Sequence, residues 1–90
     1  MRQPCTIMFM AKPSNIYSGD KALISLGAAI RLARREVNLS QEGLAADAEM
    51  DRSYVGGIER GEHNLTIMNL KKLADALSIK PSKLLESAGL

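Results

Sequence analysis

The stretch Ser40–Gly61, SQEGLAADAEMDRSYVGGIERG, decides how this chain folds. Leu44, Ala45, Ala48, Val55 and Ile58 recur at helical spacing on one side, and the positions between them are small, polar or charged. The pattern predicts two short helices with one shared dry face, broken by a tight bend at Ala48-Glu49-Met50.

Each half carries its own start signal. Ser40 can cap a helix beginning at Gln41, because its hydroxyl accepts from the unpaired N–H groups of the first turn, and Leu39 and Leu44 are spaced as a hydrophobic staple around it. Asp51 can cap a second helix from Arg52 to Arg60, with Met50 and Val55 as staple and Gly61 as the stop. Two helices joined by so short a connection form a helix-turn-helix, whose second helix can lie in the DNA major groove.

The residues around this motif resemble the Cro-like, phage-repressor-type helix-turn-helix regulators. The resemblance runs from about Gly27 to Leu85 in four blocks: Gly27-x-x-Ile30-Arg31-x-x-Arg34, Leu39-Ser40-Gln41-Glu42-x-Leu44-Ala45, Tyr54-Val55-x-x-Ile58-Glu59-Arg60-Gly61, and Leu70-x-x-Leu73-Ala74-x-Ala76-Leu77. Among subgroups, the chain looks most like the small controller proteins of bacterial restriction-modification systems. The resemblance implies an all-α, compact five-helix domain of lambda-repressor-like fold, and a dimer that reaches two half-sites about one helical turn apart on double-stranded DNA.

Composition is consistent with that architecture and narrows the alternatives. Ninety residues allow one small domain, which buries only part of its surface and gains from a partner. Aromatic residues make up 3% of the chain and hydrophobic residues 46%, so the core must be built from Leu, Ile, Val, Met and Ala, which suits packed helices. A net charge of +2 does not by itself announce nucleic-acid binding. The single cysteine, Cys5, and single histidine, His63, exclude an intrachain disulfide and a Cys/His metal cluster, and no cofactor is expected. No apolar run reaches the roughly 18 residues of a membrane span, and residues 1–10 lack the marks of a signal peptide, so the expected compartment is a reducing cytoplasm.

Residues 1–19 read as an amino-terminal arm, expected to be flexible, with Pro4, Pro13 and turn-forming Ser, Asn and Gly; Thr6–Met10 is the one run suited to a short extended segment. Residues 20–90 form the domain. Asp20 can cap a first helix from Lys21 to Val37 with Leu23, Leu26, Ile30, Ala33 and Val37 on its buried stripe, and Asn38 suits its left-handed exit. Thr66 restarts the chain as the cap of a fourth helix, with Ile67, Leu70, Leu73, Ala74 and Leu77 as its buried face. A fifth helix begins near Pro81, carries Leu84 and Leu85, and ends by Gly89.

Candidate functional residues follow from position on this frame. Arg52 and Ser53 open the second motif helix, where Arg can offer paired donors to guanine O6 and N7 and Ser can contact a base edge; the alternative is a solvated cap turn. Tyr54 can donate to a phosphate or pack over the turn. Gln41, at the amino end of the first motif helix, can hold a phosphate oxygen with help from the helix dipole. Arg35, Arg60, His63 and Asn64 are placed to extend such contacts. Gly56 and Gly57 are poor helix formers. Since the family often carries a base-reading side chain at position 57, they imply either close backbone approach to DNA or specificity concentrated in Arg52, Ser53 and DNA shape. The resemblance assigns Arg34 and Glu59 to an internal ion pair between the first and third helices. Ile79, Leu84 and Leu85 can close the core or form the two-fold contact of a dimer.

The leading reading is a sequence-specific DNA-binding transcriptional regulator. The second is an antitoxin or other protein-interaction module retaining the fold, with a toxin as its partner. An enzyme is not expected, for the sequence offers no nucleophile-base pair and no phosphate-cradling glycine loop.

Overall fold

The computed structural model describes residues 16–90; the expectations for an arm over 1–19 and for a strand at Thr6–Met10 therefore lie largely or wholly outside the described residues. Five helices follow in order: α1 (Lys21–Glu36), α2 (Gln41–Ala48), α3 (Arg52–Glu59), α4 (Ile67–Ala76) and α5 (Pro81–Ser87). Four of them start on a side-chain cap. Asp20 accepts from Ala22 N (2.8 Å), Ser40 from Gly43 N (2.9 Å), Asp51 from Ser53 N (3.1 Å) and Thr66 from Asn69 N (3.0 Å), each satisfying a first-turn donor that has no partner within its helix. α5 instead begins on Pro81, whose fixed φ suits a first turn. Left-handed residues end the elements: Asn38 after α1, Glu49 after α2, Gly61 after α3 and Ser78 after α4.

Ile30, Leu44, Val55, Leu73, Leu77 and Leu84 are the largest wholly buried side chains, so α1, α2, α3, α4 and α5 each give a residue to one core. Three expected core positions fall outside it; Leu23, in the first turn of α1, is only half-buried. Ile67 is 75% exposed, because it is the first residue of α4 and its side chain leans back past the start of the helix, beyond the packed face. Val37 is 49% exposed, because at the carboxyl cap of α1 its backbone (φ −101°, ψ 11°) has left the helical rotation on which the stripe was counted.

α3 is the element whose placement matters most, and two features set it. Gly27 on α1 lets the helices touch backbone to backbone: a Cβ there would lie 2.7 Å from the carbonyl oxygen of Glu59. The Glu59 side chain is wholly buried and receives Arg34 Nε on Oε2 (2.7 Å) and Arg34 Nη2 on Oε1 (3.0 Å), a two-point pairing across α1 and α3. Gln41 Nε2 also donates to Oε1 (3.0 Å), and Arg31 donates through Nε to Oε1 (3.4 Å) and through Nη2 to the Glu59 carbonyl (3.2 Å). The remaining Arg34 nitrogen, Nη1, holds the Leu39 carbonyl at 2.9 Å. One carboxylate thus ties α1, the α1–α2 connection, α2 and α3 together.

Burial alone would raise the Glu59 pKa, but the hydrogen bonds from Arg34 and Gln41, the Arg34 charge and the Arg31 hydrogen bond outweigh it and hold the group below its ordinary 4.5. A depressed folded value stabilises the fold fully above the unfolded pKa, and that contribution drains as the pH falls from 4.5 through the folded value. Glu59→Gln should therefore cost about 3 kcal/mol at neutral pH, since Arg34 keeps its charge in a buried site. The stability gap between variant and parent should narrow below pH 4.5. Urea melts at several pH values check both; a gap that stays constant with pH would mean that the Glu59 charge does not carry the cluster.

The glycine pair inside α3 is not symmetrical. A Cβ on Gly56 would find Arg60 Nη1 at 3.2 Å and Gln41 Oε1 at 3.6 Å, the movable end of an exposed side chain and an ordinary contact. A Cβ on Gly57 would lie 2.5 Å from Nε2 of His63, a buried ring. Gly56→Ala should stabilise the domain by roughly 0.5 to 1 kcal/mol through helix propensity. Gly57→Ala should give no such gain, because His63 must leave its site. Equal gains in the urea midpoint for both variants would show that His63 does not need the space.

Candidate nucleic-acid interface

The amino-terminal turn of α3 is where the domain presents polar side chains that its core does not use. Arg52 and Ser53 are both exposed there, while Val55 through Glu59 are buried. The helix is thus a short peg with its carboxyl half fixed by Glu59 and its amino end open. Asp51 caps the Ser53 N–H through its side chain, which orients the turn from which Arg52 and Ser53 project.

Beside this turn lies a second group. The ends of Gln41 and Arg60 both lie near Gly56. Gln41 is half-buried and has committed one amide hydrogen to Glu59, leaving a second for an outside acceptor. Arg60 is exposed and pairs with Glu62 through Nε to Oε2 (2.8 Å) and Nη2 to Oε1 (3.2 Å). The Glu62 hydrogen bonds lift the Arg60 pKa and, in return, hold the Glu62 carboxyl below its ordinary range. Asn64 is exposed in the following loop and Arg35 is exposed in the last turn of α1.

His63 departs from its expected place on the surface, whereas Tyr54 packs over the turn, one of the two places expected of it. His63 is only 7% exposed, lies over Gly57, and meets Tyr54 edge-on with ring centroids 4.7 Å apart and planes at 63°. Its ring is therefore part of the domain's packing, and a role as an exposed phosphate ligand does not suit it. Gly57 is glycine because an imidazole from the next loop occupies the space a side chain would take. Tyr54 is half-buried, and its hydroxyl accepts from Asn69 Nδ2 on α4 at 2.9 Å. Ring packing and a hydrogen-bonded hydroxyl thus coexist in one partly exposed residue.

Three contributors escape a reading of sequence alone. Arg31 lies one turn before Arg34 on the same edge of α1, so its part in the Glu59 cluster is hinted at by spacing. Asn69 pairs with a residue fifteen positions away and gives no local signal. The burial of His63 follows only from the missing side chain at Gly57. Of the residues expected at a two-fold contact, Leu84 is 1% exposed and closes the domain's own core, whereas Ile79 and Leu85 are half-buried around it.

Known proteins agree with this geometry. The helix-turn-helix family profile HTH_3 matches residues 30–84. Control protein C.BamHI of Bacillus amyloliquefaciens is 40% identical over 57 residues, which span 63% of this chain and 68% of that protein. Control protein C.SmaI of Serratia marcescens is 44% identical over 61 residues, 68% of this chain and 73% of the relative. The crystal structure of the restriction-modification controller protein C.AhdI from Aeromonas hydrophila superposes with a TM-score of 0.68 at 48% identity, covering 69% of this chain and 94% of that one. With α3 clamped by Glu59 and its amino end open, and with these matches spanning both motif helices, the chain belongs to the helix-turn-helix family of DNA-binding regulators and is similar to restriction-modification controllers.

Proposed function

We propose that this regulator reads a two-part operator as a homodimer and serves a restriction-modification system as its controller, acting on DNA in the cytoplasm without catalysing a reaction. The observation that carries the reading is the division of α3: a carboxyl half locked by a buried carboxylate and an amino end whose Arg52 and Ser53 are exposed. Fixing the helix before DNA arrives lowers the ordering cost of binding. Arg52 and Ser53 take the base edges, and Gln41, Tyr54, Arg60, Asn64 and Arg35 take backbone phosphates, with His63 acting behind Tyr54. Among the described residues no helix is long and apolar enough to cross a membrane. The similarity to controller proteins favours DNA over a toxin as partner.

The dimer surface that best fits the second copy is the groove between α1 and α5. Leu32 (59% exposed), Ala33, Val37 and Ile79 line it, with Glu36 on one wall and Lys83 on the other. Large apolar residues left in water next to opposite charges suit a two-fold contact, in which Glu36 of each copy can face Lys83 of the other.

A gel-shift titration against the DNA upstream of the chain's own gene, with excess competitor at two salt concentrations, tests the function. Specific binding that weakens steeply with salt is expected; a folded protein that gives no specific shift would turn the reading toward a protein partner. Arg52→Ala should cost about 1–3 kcal/mol of operator affinity with the melting midpoint nearly unchanged. Undiminished affinity removes Arg52 from the reading surface. For the dimer, Leu32→Glu should shift sedimentation toward the monomer and weaken operator binding without altering the DNA-facing residues. A dimer that survives this substitution lies on another face.

A further inference from the structure

The Tyr54 hydroxyl has a directional problem that Asn69 solves. A phenol carries one hydrogen to donate and lone pairs to accept with, whereas a phosphate oxygen only accepts. A tyrosine that spends its hydrogen inside the protein has nothing to offer the DNA backbone. Asn69 Nδ2 donates to the Tyr54 oxygen at 2.9 Å, so the line toward α4 is already occupied by a hydrogen from the amide. The phenolic hydrogen must then point along another direction.

The surroundings hold that arrangement in place. Asn69 is in the first turn of α4, where Thr66 Oγ1 accepts from its backbone N–H at 3.0 Å and fixes the residue's position. On its flank, the Tyr54 ring meets the buried ring of His63, which itself fills the space over Gly57. The phenol is thus held on one side by a ring and at its tip by an amide, while the residue keeps part of its surface open.

We propose that Asn69 is a positioning residue for DNA binding: by donating to the Tyr54 hydroxyl it commits that hydroxyl to act as a donor, directed at a backbone phosphate oxygen. The inference rests on the reading above that Tyr54 faces DNA. Asn69 does not itself touch the nucleic acid. Because neither residue is charged, the pair adds affinity without neutralising a phosphate, so it leaves the salt dependence of binding unaltered.

A double-substitution cycle on the full chain tests this, using as probe a duplex enriched from a random-sequence pool by the unsubstituted protein. Titrations followed by fluorescence anisotropy at several salt concentrations give affinity and salt slope, and thermal melts confirm the fold. Tyr54→Phe should bind roughly ten-fold more weakly, the loss of a hydrogen bond to a charged acceptor. Asn69→Ala should weaken binding several-fold in the parent chain and change it by less than about two-fold in the Tyr54→Phe background, with one salt slope for all four proteins. Asn69→Leu repeats the cycle should the alanine variant unfold. Equal losses in both backgrounds would show that Asn69 acts independently of Tyr54, and tighter binding by Asn69→Ala would show that Tyr54 had been spending its hydrogen on Asn69; either overturns the proposal. Unchanged affinity for Asn69→Ala or Tyr54→Phe overturns it while leaving DNA binding intact. Failure of the unsubstituted protein to enrich any duplex overturns the functional reading, and this inference falls with it.

Discussion

The buried carboxylate of Glu59 is the constraint around which the rest of this domain is arranged. A charge taken out of water at the end of a short helix is costly unless its lone pairs are met by good donors. Here four donor groups from three residues meet them, and those residues belong to α1 and α2. Satisfying the charge therefore requires the helices to be in register. A rotation of α3 about its axis would move Glu59 away from Arg34 and Gln41 together. A buried ion pair adds little net stability compared with a well-packed apolar substitute. Its contribution is to make alternative placements of α3 worse, which a contact among leucines would do less sharply.

The need for such a device follows from what α3 is. Eight residues with two interior glycines have little tendency to stay helical alone. The Gly27 crossing brings the α1 and α3 backbones close enough for Arg31 to reach the Glu59 carbonyl as well as its carboxylate. Val55 and Ile58 anchor the inner face, and Asp51 caps the start. Tertiary contacts thus replace intrinsic propensity, and two glycines serve the surroundings: Gly27 the crossing and Gly57 the His63 ring.

Much of this was legible in the sequence where the cause is local. Asp20, Ser40, Asp51 and Thr66 cap the helices they were expected to cap, because a capping side chain acts within three residues of itself. Residue resemblance indicated the Arg34–Glu59 pairing; periodicity alone could not have done so. The misplacements share a physical origin at helix ends, where a count of period 3.6 ceases to apply: Ile67 begins a helix and Val37 has already left one. Leu84 was left open between the core and a partner because nothing in the order of residues says that α5 turns it inward. His63 looked like a surface donor because its burial depends on a side chain that is missing at Gly57, and Asn69 was silent because its partner lies on another helix.

The two supports of the edge proposed to face DNA differ in kind, and the difference suits their positions. At the carboxyl end of α3 the support is ionic and buried, where a low dielectric strengthens attraction between fixed charges and salt screens it little. At the amino end it is a ring contact and an amide: the His63 ring against Tyr54, and the Asn69 amide on its hydroxyl. Charges of either sign placed there would interact directly with phosphates, an anion repelling them and a cation binding every sequence alike. The uncharged Asn69 amide can orient Tyr54 without adding to that background. On the proposed reading Arg52 is the cation at the tip of the peg, and base geometry, rather than net charge, would decide where it binds best.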